Sequence, residues 1–172
     1  MPRSEAESAS TILAPYCLGF GVDVGCGERK ITPWAIGLDY EHRDGRTDLP
    51  MTDADIYGPW ETWFASPQAQ GLDFVFSAHL LEDYVNWQNV LETWLGAISP
   101  DALLVLLLPD EQRYRDYCHE HAQPYNENHR AEWAGPADFL EQLGEALRIR
   151  MEPVASGTVE PYSFYVVLRR LS

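Results

Sequence analysis

Short apolar runs separated by polar or helical stretches set the rhythm of this chain. Residues 20–24, 35–38, 72–76, 102–108 and 164–168 form such runs, each bounded by turn-forming residues, the pattern of strands buried on both faces. Between the third and fourth runs, Leu80, Tyr84, Trp87, Leu91, Trp94, Leu95 and Ile98 recur at three- and four-residue steps, predicting one face of an amphipathic helix. It should close at Ser99-Pro100, because the residue before a proline is pushed out of the helical region. Gly135-Pro136 opens a second helix, with Phe139, Leu140, Leu143 and Leu147 on one face and proline well placed at its first turn. Strands apolar on both sides alternating with helices predict an α/β fold, a three-layer, Rossmann-like, mostly parallel sheet in a single domain. Residues 151–171 read as two strands joined by a turn at Ser156-Gly157, which adds an antiparallel terminal edge.

The 172 residues, 45% apolar and 23% charged, suit one domain with a sizeable core. The first ten are polar and rich in serine and glutamate, so residues 1–10 are expected to fray and the domain to run over residues 11–172. Charge narrows the partners. A net charge of -15, with Lys30 as the one lysine, repels phosphate backbones and leaves no basic stripe for nucleic acid or anionic lipid. Cys17, Cys26 and Cys118 form no CxxC pair, which points to reduced thiols in a cytoplasmic protein. His119 and His121 lie too close together for a zinc site and lack a second donor cluster, so no metal is expected. No amino-terminal leader pattern is present, and the longest apolar run, 102–108, is too short to span a bilayer.

Candidate chemistry begins where the first strand runs into Gly25-Cys26-Gly27. Glycines there allow backbone angles that a Cβ forbids and let a ligand approach closely. The second strand ends in Gly37-Leu38-Asp39-Tyr40, so a carboxylate stands at its carboxyl end, able to accept from both hydroxyls of a ribose. A dinucleotide fingerprint is a poor fit: position 30 is Lys30 instead of the third glycine, and Asp39 comes well before the ~20 residues that fingerprint needs. This disfavours a nicotinamide oxidoreductase. A phosphate-binding P-loop motif is absent from the sequence.

Val22-Asp23-Val24-Gly25-Cys26-Gly27 resembles motif I of the class I S-adenosylmethionine-dependent methyltransferases, and Gly37-Leu38-Asp39 resembles their ribose-binding strand end. Thr47-Asp48-Leu49-Pro50 is similar to the stretch that flanks the adenine, and residues 72–82 are similar to the family's strand 4, which commonly ends S-x-H-x-L-E. Pro100-Asp101 followed by residues 103–108 stands where the family has a proline turn and strand 5. The resemblance spans roughly residues 20–168, and its specificity lies in the order of five elements. It is nearest to small bacterial type 11-like members with an abbreviated first crossover.

The resemblance implies S-adenosylmethionine lying across the carboxyl ends of strands 1, 2 and 4. Asp39 would bind the ribose, Gly25 and Gly27 would line the methionyl portion, Asp48 and Leu49 would flank the adenine, and Asp23, Cys26, Tyr40 and Ser77 are further cofactor-binding candidates. It further implies a methyltransferase acting on a small-molecule or sugar-like acceptor, and leaves a homodimer open. The alternative is a catalytically inactive methyltransferase-like interaction protein, favoured by the net charge and by Glu28-Arg29 where motif I usually has its third glycine. The crossover between the first two strands, interrupted by Pro33, is shorter than the usual dozen or more residues, so its helix should shrink to about one turn. Residues 52–71 carry Tyr57, Trp60, Trp63 and Phe64, read as a short helix packing on the core or as one wall of the substrate pocket.

Methyl transfer needs positioning and removal of a proton, so candidate bases are sought beyond strands 4 and 5. These are His79, Glu82, Asp83, Asp110 and Glu111, with His79 preferred because imidazole titrates near neutral pH. Residues 112–133 read as a long polar loop holding Arg113, Arg115, Asn126, His129 and Arg130. The Asn126-x-x-His129 spacing resembles an acceptor-pocket loop of small-molecule and sugar-modifying relatives, so Asp110, Arg113, Asn126 and His129 are assigned to the acceptor, the arginines suiting an anionic one.

Overall fold

The computed structural model describes residues 5–40 and 52–172. Seven strands, β1 (Gly21–Val24), β2 (Ile36–Asp39), β3 (Ile56–Tyr57), β4 (Leu72–Ala78), β5 (Ile98–Pro109), β6 (Met151–Val159) and β7 (Ser163–Arg170), form one sheet in the order β3-β2-β1-β4-β5-β7-β6. The pairs from β3 to β5 are parallel, and β7 runs antiparallel between β5 and β6. The predicted α/β architecture, parallel with an antiparallel end, is the observed one.

Two apolar clusters sandwich this sheet. The larger packs α2 (Trp60–Phe64), α3 (Trp87–Ala97) and α5 (Pro136–Gln142) on one face, around Trp94, Leu104, Phe139 and Phe164. The smaller lies on the other face, where α1 (Glu5–Leu13) covers Phe74, Phe76, Val105, Leu107 and Val167. The amino-terminal residues were expected to fray to Thr11, yet α1 begins at Glu5. Its Ala9 and Leu13 are buried, small and apolar at a one-turn spacing, and so dock on the sheet despite polar neighbours.

The crossover from β1 to β2 contains no helix, not even the single turn expected; residues 25–35 are turns and bends. Its packing comes instead from Ile31 and Ala35 in the smaller cluster and from the buried Asp23 carboxylate, whose Oδ2 accepts from the Ile31 N–H at 2.6 Å. The helix expected from Leu80 starts at Trp87. Leu81–Asp83 makes a 3-10 turn that plugs Leu81 into the core, so the apolar periodicity continued across a break in backbone geometry. After α3 the chain enters β5 at Ile98, ahead of the Ser99-Pro100 stop and of the expected strand start at Ala102.

Residues 112–133 are not a continuous loop, because α4 (Glu111–Glu120) occupies their first half. Asp110 caps it, accepting from the Arg113 N–H at 3.2 Å, while so few apolar residues face inward that its periodicity was invisible. The helix read through Leu147 is broken at Leu143-Gly144 into α5 and α6 (Glu145–Arg148). The terminal turn falls at residues 160–162, not at Ser156-Gly157. Gly157 sits inside β6, where a Cβ would come within 2.9 Å of the Tyr165 ring, so this glycine admits a cross-strand aromatic and does not turn the chain. The aromatic segment forms the expected short helix, with Trp60 and Phe64 buried and Trp63 packed against them.

Candidate functional site

Strand order reverses between β1 and β4, and the carboxyl ends of parallel strands at such a point open a crevice suited to ligands. Val24 leads there into Gly25 and Gly27, at φ 72° and 57°, left-handed values that favour glycine. The turn is pinned from below by the Gly25 N–H on the Leu38 carbonyl at 2.8 Å. Beside Gly27 a Cβ would meet nothing within 4 Å, so open space lies over the turn.

Asp39 at the end of β2 faces this turn. One carboxylate oxygen accepts from the Gly27 N–H at 2.8 Å and the other from the Tyr40 N–H at 2.7 Å. Both bonds fix the carboxylate in place, and each oxygen keeps acceptor capacity for a hydroxyl. The crevice around it is walled by Gly25, Leu38, Tyr40, Gly58, Trp60 and Leu80, an acidic acceptor in an otherwise largely apolar slot. The crevice itself is narrow, about 20 Å³, and what it offers a ligand is the free acceptor capacity of the Asp39 carboxylate at its edge.

A cavity of about 400 Å³ adjoins the turn, bounded by Ala9 and Ser10 of α1, by Cys26, Glu28, Arg29 and Ile31, and by His79. Burial and nearby Asp23 push the Cys26 thiol up to about 12, so it lines this space as a protonated, inert group. A second cavity, of about 280 Å³, is lined by His79, Glu82, Pro109, Tyr114, Asn126, His129 and Tyr162. His79 borders both. It follows β4 with φ 50°, a conformation uncommon for a residue with a Cβ. Its Nδ1 lies 3.4 Å from Glu82 Oε1 and its Nε2 lies 3.2 Å from Ser163 Oγ. This resembles a nucleophile–histidine–carboxylate line, but Ser163 is fully buried and out of reach of a substrate.

Behind the second cavity, His129 donates or accepts at Nδ1 with Glu111 Oε2 at 2.9 Å and faces Glu82 with Nε2 at 3.9 Å. Tyr125 donates to Glu111, and Arg115 reaches Glu111 at 3.1 Å as well as Glu132. Tyr114 stacks on His129 at 5.3 Å between centroids and meets Tyr162 at 4.9 Å. Burial raises the Tyr114 hydroxyl to about 12, keeping it a hydrogen-bond donor.

The structure thus gathers Gly25, Gly27, Asp39 and Tyr40 at one crevice, and His79, Asn126 and His129 at the cavity beyond it. Ser77 is a peg, donating to the Val24 carbonyl at 2.9 Å and joining β4 to β1. Asp23 stands under the turn, outside these cavity walls. Asp110 is the α4 cap, and Arg113 turns away to Glu160 at 2.9 Å and the Pro161 carbonyl at 2.8 Å. Asp48 and Leu49 lie outside the described residues. No local pattern singles out Tyr114 and Tyr162, which reach the second cavity from separate elements, or Ser10 at the first, and Arg29 stands out only as a departure from the glycine motif. Among the described residues no cluster of His, Cys, Asp or Glu could hold a metal, and no helix is long and apolar enough to cross a membrane.

Asp23 makes stability depend on pH. Burial is the main cause that raises its carboxyl to about 7 from 3.8, aided by Asp39 and Asp53 and opposed by the Ile31 N–H and Lys30. The folded state therefore binds this proton more tightly than the unfolded chain. Its contribution is greatest below about pH 4 and is lost as pH rises to about 7. Melting temperature against pH should fall over that window in the native protein, and Asp23→Asn should flatten this part of the profile; an unchanged slope would contradict the assignment.

No family model matches the chain, and no curated protein matches it. Solved structures do. The plantazolicin methyltransferase BpumL in complex with SAH superposes with TM-score 0.63 at 14% identity, covering 98% of this chain and 84% of that one. The PH0226 protein from Pyrococcus horikoshii OT3 gives 0.67 at 14% identity, covering 98% and 90%. The N-methyltransferase NodS from Bradyrhizobium japonicum WM9 gives 0.57 at 14%, covering 98% and 94%. At this identity the likeness establishes the fold alone, the one these structures share.

Proposed function

We propose that this chain, built on the class I methyltransferase fold, is an S-adenosylmethionine-dependent methyltransferase acting on a small-molecule acceptor. The observation that carries the reading is the Asp39 carboxylate, held by the Gly27 and Tyr40 N–H groups at the mouth of an apolar crevice where strand order reverses. The solved structures it resembles include methyltransferases, one of them in complex with SAH. When bound, the cofactor supplies an electrophilic methyl group. Asp39 would hold its ribose, Trp60 and Leu80 the adenine, and the cavity beside Gly27 and Arg29 the methionyl end, with Arg29 answering its carboxylate. The second cavity would then receive the acceptor, and His79, which borders both spaces, would take the acceptor's proton.

The test is calorimetric titration with S-adenosylhomocysteine, which binds without a known acceptor. Micromolar affinity is expected, about -8 kcal/mol. Asp39→Ala should weaken it by about 1–3 kcal/mol, the range for losing hydrogen-bond partners in a buried site. No heat and no shift in melting temperature with millimolar ligand would overturn the reading in favour of a noncatalytic interaction protein; full affinity in Asp39→Ala would remove the ribose assignment alone.

A further inference from the structure

The chemistry of the second cavity indicates what kind of acceptor it takes. Two carboxylates lie at or behind its wall, those of Glu82 and Glu111, with 1% and 4% of their residue surfaces exposed. Of the three arginines in residues 112–133, Arg113 and Arg115 are engaged elsewhere and Arg130 does not line the cavity. Arg115 is committed to Glu111 and Glu132 and lies over the Tyr125 ring at 5.4 Å, while Arg113 is turned to Glu160. Neither arginine lines the cavity, nor does Lys30, which is held by Asp55 at 2.8 Å.

A second observation is independent of this charge count. Glu82 Oε2 is buried and has no hydrogen-bond partner, although Glu82 forms part of the cavity wall. A buried acceptor without a donor costs free energy, most of all when it is charged. A negative charge enclosed at the wall favours a guest that carries positive charge; a carboxylate or phosphate adds repulsion. The remaining walls suit the same guest. Tyr114 and Tyr162 present aromatic rings, which attract cations, and Asn126 adds a neutral amide.

From these features we infer that the acceptor is an amine that enters as its ammonium ion and binds against Glu82 between Tyr114 and Tyr162. This rests on the methyltransferase reading for the reaction but not for the binding. The ammonium would pass one proton to His79, and the freed nitrogen lone pair would form the new N–C bond as the methyl C–S bond breaks and its electron pair returns to sulfur. The products are an N-methylammonium, a neutral thioether and a protonated His79. The arginine-held anionic acceptor expected from the sequence is not favoured, since Arg113 and Arg115 already have partners and Arg130 does not line the cavity.

Three probes of one shape separate the classes: benzylamine, benzyl alcohol and benzoate, each titrated by calorimetry into the protein with and without S-adenosylhomocysteine. Benzylammonium is expected to bind at least about tenfold more tightly than benzyl alcohol, with no saturable binding of benzoate. Glu82→Gln should bring the ammonium-to-alcohol ratio close to one while leaving S-adenosylhomocysteine affinity unchanged. Equal or tighter binding of alcohol or benzoate, no binding of benzylamine at millimolar concentration, or an undiminished ratio in Glu82→Gln would each overturn the inference. If Glu82→Gln does not fold, Tyr162→Leu serves, its expected effect being loss of benzylammonium binding relative to benzyl alcohol. Failure of the methyltransferase reading shows separately, as absent S-adenosylhomocysteine binding beside an intact probe order.

Discussion

Trp94→Ala is expected to lower the unfolding free energy by about 3–5 kcal/mol, the cost of emptying a large buried aromatic site. Trp94 is fully buried and meets Trp60 edge to face at 5.7 Å and Phe64 at 6.4 Å. Its indole nitrogen has no partner, so the loss is one of packing and not of a hydrogen bond. Trp94→Phe should therefore cost much less, since it keeps most of the apolar volume and discards an unpaired donor. Urea unfolding of both variants checks this; equal losses would mean that the indole nitrogen matters after all. The alanine variant should also weaken S-adenosylhomocysteine binding, because Trp60, which rests on Trp94, forms a wall of the crevice at Asp39.

The other large effect is expected in turnover. With an acceptor that is methylated, His79→Gln should reduce kcat by about 10²-fold or more, the usual contribution of a placed general base. A general-base step makes the native rate depend on pH, and the variant should lose the part of that dependence that His79 supplies. Affinity for S-adenosylhomocysteine should fall far less than kcat, because His79 stands apart from the ribose crevice and borders only the cavity given to the methionyl end. A variant with native kcat and pH profile would assign His79 to a structural role and move the proton acceptor to Glu82.

The crevice was far more legible in the sequence than the cavity beyond it. Gly25, Gly27 and Asp39 are close in sequence and act through backbone geometry at strand ends, so alternating apolar runs and glycines locate them. The second cavity is assembled from the end of β4, the turn at Glu82, α4, the segment through His129 and the β6–β7 turn. Nothing local links Tyr114 to Tyr162. Within α4 and the first crossover, tertiary contacts overrode the pattern: Asp110 starts a helix without an evident apolar stripe, and Asp23 holds by one hydrogen bond a crossover too short for its helix. Gly157 misled for a related reason, since sequence alone does not separate a glycine that turns the chain from one that makes room for a ring.

The Ser77–Val24 peg joins residues 53 positions apart, and the crevice exists only once β4 has paired with β1. Closing so long a loop is costly before any contact rewards it, so the ligand site is absent from every partly folded chain that lacks this pairing. A ligand that recognises it has nothing to bind until folding is nearly done. Its whole stabilisation then falls on the native side of the barrier: the cofactor would slow the rate at which the protein unfolds and leave the rate at which it folds unchanged.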